Sequence, residues 1–205
     1  MTSDRDLQPG LDAMLDQAWR DLLRGVPDER RGFHWPVVAT VDASGAPQAR
    51  VCVLRSASRE DGVLTFQTDR RSPKVCELQA SPKVALTFHD RRRRLQLRAC
   101  GDADVHLAGP LFEAGWARCG PGGRRAYLGP FAPSSPAADW SPNVPAGLVG
   151  RTPNRAESEA GREQFAVVAV TVETMDLLLL ERAGHRRARY VRQPGGGWRA
   201  QWLQP

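Results

Sequence analysis

The chain has 205 residues, 41% hydrophobic and 25% charged, and its 29 Lys and Arg against 23 Asp and Glu give a formal net charge of +6. The apolar content suffices for a core, and the length for one large β domain or two small ones. No apolar run nears the roughly 20 residues that cross a bilayer, and the opening MTSDRDLQPG lacks the basic-then-apolar pattern of a signal peptide, so no membrane partner is implied and a cytoplasmic protein is the expectation.

In chain order, residues 11–24 place Leu11, Leu15, Ala18, Trp19 and Leu22 on one helical face. Gly25 and Pro27 stop the helix, and Trp19 reads as a core anchor. Three apolar runs follow, Val37–Val41, Ala49–Leu54 and Val63–Phe66, separated by the turn sequences Asp42–Gly45 and Glu60–Gly62. They read as successive antiparallel strands. Ser72-Pro73-Lys74 then opens a short helix to Ala80, with a hydroxyl at the N-cap and proline at the first helical position. Strands are expected over Lys83–His89 and Leu95–Leu107, with Gly101 marking a bulge or a close backbone approach. A second short helix starts near Pro110.

Residues 119–153 are rich in proline and glycine, with Tyr127, Phe131 and Trp140 among them. So long a loop reads as a lid or wall over a site rather than a plain connection. A helix follows over Asn154–Gln164, with Glu157 in capping-box position. Strands over Phe165–Leu180, Arg187–Arg192 and Trp198–Leu203 complete the chain. The sum is seven or eight strands, mainly antiparallel, with short flanking helices: a mainly β fold, closed or split as a barrel. No GxGxxG or GxxxxGK[ST] follows a strand, which removes the Rossmann and P-loop readings.

The four cysteines and four histidines have no metal-ligand spacing. No metal site is assigned, and the thiols read as buried and reduced. The basic charge raises nucleic acid as a partner, but Arg91–Arg94 reads as a solvated turn and few aromatics alternate with basic residues. That partner is therefore disfavoured. The chemistry concentrates instead at Arg50, Thr68, Ser72 and Lys74: a guanidinium fork, two hydroxyls and an ammonium converging on one helix N-terminus, which suits a phosphate. A lysine in a first helical turn opposes the macrodipole, and an anion there would explain it. Arg50 and Arg55 face opposite sides of an ideal strand, so both serve one ligand only if the strand bulges or ends between them.

The stretches ATVDASGAPQARVCVLR, LTFQTDRRSPKVCEL and RLQLRACGDAD, with the closing segment RYVRQPGGGWRAQWLQP, resemble the pyridoxamine 5′-phosphate oxidase family of FMN-binding split barrels. The resemblance implies one FMN-binding domain over residues 1–205, with the N-terminal helix within 1–30 and the loop at 119–153. It implies that Arg50 and Lys74 bind the FMN phosphate with Ser72 and Thr68. The backbone of Val51, Cys52, Val53 and Leu54 would run along the ring, and Gln67 would lie at the flavin edge. Gln96 would bond the polar edge of the ring, Arg55 would face flavin and substrate, and Arg189 would lie on the FMN side. A homodimer with the cofactor between subunits is also implied.

Several family features are missing. Pro73 stands where the family has an arginine, the late flavin-contacting tryptophan falls near Leu179, and the R-x-H substrate signature reads His185-Arg186-Arg187. The implied function is an FMN-dependent oxidoreductase with an altered substrate and no assigned catalytic residue. A non-catalytic flavin binder and an enzyme using the deazaflavin F420 are the alternatives.

Overall fold

The computed structural model describes residues 4–205, with side chains from residue 10 onward. Helix α1 (Asp4–Gly25) leads into strands β1 (Val37–Val41), β2 (Pro47–Val51), β3 (Leu54–Ser58) and β4 (Val63–Asp69). Helix α2 (Pro73–Ala80), strands β5 (Lys83–Asp90) and β6 (Leu95–His106), and helices α3 (Pro110–Arg118) and α4 (Pro121–Arg124) follow. The chain ends with α5 (Arg155–Glu159), β7 (Phe165–Leu179), β8 (Arg186–Arg192) and β9 (Trp198–Leu203). No described helix is long and apolar enough to cross a membrane.

All strand pairings are antiparallel. The order is β2-β1-β5-β6-β7-β4-β3, with β8 and β9 continuing from β7. The sheet does not close on itself, so the fold is a split barrel, mainly β. The strand expected over Ala49–Leu54 is two strands: β2 ends at Val51 on one edge of the sheet, and β3 begins at Leu54 on the opposite edge. Alternation of apolar residues could not show this break, because the chain crosses the split in two residues, Cys52 and Val53, without any turn signal.

β7 organises the rest. One of its edges pairs with β6 from Val167 to Leu179, while the other pairs first with β4, up to Thr171, and then with β8, from Thr174. The change of partner coincides with a bulge in which Gly101 faces Val172 and Cys100 faces Thr174. The backbone approach there is close: a Cβ on Gly101 would collide with the Thr171 carbonyl oxygen and lie 3.1 Å from the Glu173 nitrogen.

The main core lies between α1 and the concave face of the sheet, with Trp19, Leu22, Phe66, Phe88, Leu97, Val168 and Tyr190 fully buried. Trp19 packs against Trp198 and the Tyr190 hydroxyl donates to the Leu11 carbonyl, so the last two strands are tied to the first helix. A second cluster sits on the other face of β7, where Phe112, Trp116, Cys119, Tyr127, Phe165 and Val167 pack together. Asn154 and Glu157 form the expected capping box.

The thiols correct one expectation. All four are free, but only Cys119 is buried, and Cys76 is exposed. Cys76 lies on the outward side of α2, where the helical period turns Val75 and Leu78 inward instead.

Gly101→Ala is expected to cost about 2–4 kcal/mol, since the new methyl must push apart two paired backbones. Gly120→Ala, where a Cβ meets nothing within 4 Å, should leave the urea midpoint close to wild type.

Candidate phosphate and flavin site

β4 distributes side chains to both faces. Leu64 and Phe66 enter the main core, and Thr68, two residues further on, reaches the same face where that core ends. The chain then turns into α2. Ser72 sits at the N-cap, but its hydroxyl does not cap the helix. It donates to the Asp69 carbonyl at 2.7 Å and lies 3.1 Å from the Thr68 hydroxyl. Lys74 Nζ donates to Thr68 Oγ1 at 3.0 Å. The three side chains thus form one directed chain, ammonium to threonine to serine to carbonyl. Two of the ammonium's three donors have no protein partner among the described residues.

Lys74 has no carboxylate within ion-pair distance among the described residues. Burial holds its ammonium below the usual lysine range, and the Arg50 guanidinium nearby adds to this. A half-buried cation without a counter-ion, beside two hydroxyls at a helix N-terminus, is what a phosphate would complete. Arg50 enters from β2, where it faces Val38 across the β1 pairing. Its Nη2 donates to Glu77 Oε2 at 2.9 Å, and its Nη1 donates to Thr40 Oγ1 and, at 3.4 Å, to the Val38 carbonyl. The Thr40 hydroxyl in turn donates a hydrogen bond to Glu77 Oε2. Cys52 lies close enough to Lys74 and Arg50 for both cations to oppose the rise that burial imposes on its thiol pKa.

Other expected residues lie elsewhere. Gln67 alternates with Thr68, so it faces the second cluster and donates from Nε2 to the Gly115 carbonyl at 3.1 Å. Arg55 sits where the β3–β4 register shifts. With Gln67, Arg118 and Cys119 it lines a cavity of about 310 Å³. The strand break therefore sends Arg50 and Arg55 to different clusters. Gln96 and Arg189 are exposed on the outer face of the sheet, and no hydrogen bond ties either to the Lys74 cluster among the described residues.

Val51 is on that outer face too, 60% exposed. Glu77 and Thr40 were not foreseen as part of the site. The signal for Glu77 was its place one turn after Lys74 on the same helix.

The 119–153 segment is only partly a wall. Tyr127 is buried in the second cluster, edge-on to Phe165 at 5.1 Å, and burial drives its phenol pKa upward. Arg124 stacks 4.0 Å above Trp116 and pairs with Glu159. Trp140, by contrast, is 88% exposed and lines a groove with Phe131, Pro133 and Asn143 of the same segment. A larger cavity of about 520 Å³ lies beside Tyr127 and Leu148. The two guanidiniums that line it, Arg71 and Arg151, are already paired with Asp69 and Glu157, which leaves the Lys74 cluster as the stronger anion site.

The chain is a split barrel with a cationic, hydroxyl-lined helix N-terminus next to its strand break. Residues 16–107 match the family described as pyridoxamine 5′-phosphate oxidase, FMN-binding domain. Pyridoxine/pyridoxamine 5′-phosphate oxidase of Hyphomonas neptunium is 41% identical over 115 residues, 51% of this chain and 51% of the relative. The enzyme of the same name from Mycolicibacterium paratuberculosis is 37% identical over 116 residues, 54% of this chain and 48% of the relative. The chain thus spans about half the length of the curated relatives it matches. Among solved structures, a pyridoxamine 5′-phosphate oxidase-related, FMN binding protein from Nostoc punctiforme superposes with a TM-score of 0.69 at 21% identity, over 84% of this chain and 88% of that one. PhzG from Burkholderia lata, in complex with tetrahydrophenazine-1-carboxylic acid, gives 0.67 at 19% identity over 100% and 98%. At these identities the two structures share the fold.

In the flavin-free protein, Lys74→Met is expected to raise the urea midpoint, because a half-buried ammonium without a carboxylate partner is desolvated without compensation. The lysine pKa is lower folded than unfolded, so its penalty is full below the folded value and is relieved as pH rises toward the ordinary lysine range. The difference between variant and wild type should shrink on that side. A midpoint that falls at neutral pH would contradict this electrostatic account.

Proposed function

We propose that the chain is an FMN-dependent oxidoreductase whose substrate is not a vitamin B6 phosphate. The observation that carries this reading is the half-buried Lys74 ammonium at the start of α2, bonded among the described residues only to Thr68 and to no carboxylate. Lys74, Ser72, Thr68 and Arg50 would hold the cofactor's phosphate, and the Val51–Leu54 backbone would carry the ring. Bound FMN would supply two-electron redox chemistry, while the protein binds it, orients it and sets its hydrogen bonds. The missing arginine at Pro73 and the changed sequence around Arg187 argue against a vitamin B6 phosphate.

Arg55 and Arg118 face the 310 Å³ cavity and form no ion pair among the described residues. They favour a substrate that carries negative charge. The outer face of the sheet exposes Val37, Val41 and Val51, an apolar surface suited to a second copy of the chain. Docking there would bring Gln96 and Arg189 toward a cofactor shared between protomers. The free thiols suit a reducing, cytoplasmic setting.

The test is the absorption spectrum of the purified protein, with mass spectrometry of whatever heat releases. FMN is expected in wild type and none in the Arg50→Ala, Lys74→Ala double variant. Unchanged flavin occupancy in that variant would sink the site assignment, and the mass of F420 would keep the fold and change the cofactor. Val51→Asp is expected to yield a monomer by light scattering, and a dimer of unaltered stability would remove this face as the interface.

A further inference from the structure

Glu77 is the one carboxylate among the described residues that is bonded into the cluster, and its position is unusual for a phosphate site. It is 8% exposed, one turn after Lys74 on α2, and its Oε2 accepts from both Arg50 and Thr40. We infer that Glu77 is an internal counter-anion that competes with the cofactor's phosphate for Arg50, so that the chain holds FMN weakly and exchangeably. This rests on the FMN reading above.

The geometry of Arg50 comes first. A guanidinium grips a phosphate best through two parallel N–H bonds from one edge of its fork. Here Nη2 gives one of its two N–H groups to Glu77 and Nη1 spends both of its own on Thr40 and the Val38 carbonyl, so among the described residues only Nε–H and the second Nη2–H are left for a phosphate. Thr40 closes a triangle by accepting from Arg50 and donating to the same glutamate oxygen. A phosphate therefore has either to displace Glu77 from the fork or to share Arg50 with it.

Charge points the same way. Arg50 and Lys74 bring two positive charges, and Glu77 removes one. Asp69 does not enter the sum, because Arg71 binds both of its oxygens. A phosphate monoester brings about 1.5 to 2 negative charges near neutral pH, so the site with Glu77 is under-compensated. The carboxylate cannot swing freely into solvent to escape, being buried and held by Thr40.

Glutamine separates charge from shape. Its amide oxygen can accept the same bonds from Arg50 and Thr40, so Glu77→Gln keeps the arginine in place while removing the competing charge. The experiment is titration of FMN and of riboflavin, which lacks the phosphate, into wild type and E77Q, followed by flavin fluorescence quenching. E77Q is expected to tighten FMN binding about tenfold or more, the size of a one-unit like-charge effect. Riboflavin affinity should stay within about twofold, since the ring never meets Glu77.

Wild type itself should prefer FMN over riboflavin by less than about a hundredfold, because an unopposed fork and ammonium would each add a strong charge-assisted bond. That ratio decides the matter even if E77Q does not fold: a preference above about a thousandfold overturns the inference. FMN affinity in E77Q that is unchanged or weaker, or an equal shift for both flavins, overturns it and leaves the FMN reading standing. Uptake of FMN by E77Q alone supports it. Failure of both proteins to bind either flavin overturns the FMN reading and this inference with it.

Discussion

The fold depends on how β7 shares its second edge. Fifteen residues long, it pairs with β6 on one side from Val167 to Leu179, but on the other side it holds β4 and then β8 in succession. A single strand can change neighbours in this way only if its twist and register change locally, and the bulge opposite Gly101 makes that change. β4 then diverges from β8. β4 leads toward α2 and the cationic cluster, while β8 and β9 turn back over α1 through Tyr190 and Trp198. The site is positioned by backbone register before any of its side chains act.

Electrostatically, the chain pairs most of the charges it buries. Asp176 is held by Arg98 and Arg187, Arg124 by Glu159, and Asp69 by Arg71. The first two join different strands or helices and the third is local to the turn after β4, each satisfying a group that would be costly to bury alone. Lys74 departs from this rule. Its donors are only partly used, and its nearest arginine is itself neutralised by Glu77. A local departure from full satisfaction, in a chain that otherwise observes it, is how a binding site differs from a structural ion pair.

The family match and the structure complement each other. The matched segment ends at residue 107, just where β6 finishes, so it covers the strands and helix that build the cationic cluster. What lies beyond it, α3 to β7, carries the second apolar cluster and supplies Arg118, Cys119, Gly120 and Gly123 to the Arg55 cavity. Tyr127 and Phe165 pack within that cluster, while Trp140 and Phe131 remain exposed on the long connection.

Much of the architecture was legible in the sequence because it is written in local signals. The period-2 runs, Gly101, the Ser72-Pro73 helix start and the Asn154–Glu157 capping box all specify short-range geometry. The grouping of Thr68, Ser72 and Lys74 was legible for the same reason, since all three lie within seven residues. Burial of Tyr127 was not, because a proline- and glycine-rich composition says nothing of whether an aromatic finds a partner such as Phe165, nearly forty residues away. Nor was the break between Val51 and Leu54, which sends Arg50 and Arg55 to opposite sheet edges. The Arg50–Thr40–Glu77 triangle joins β2, β1 and α2. Only the tertiary structure brings those elements together, because pairing across strands and packing of a helix over them are long-range choices that no local pattern encodes.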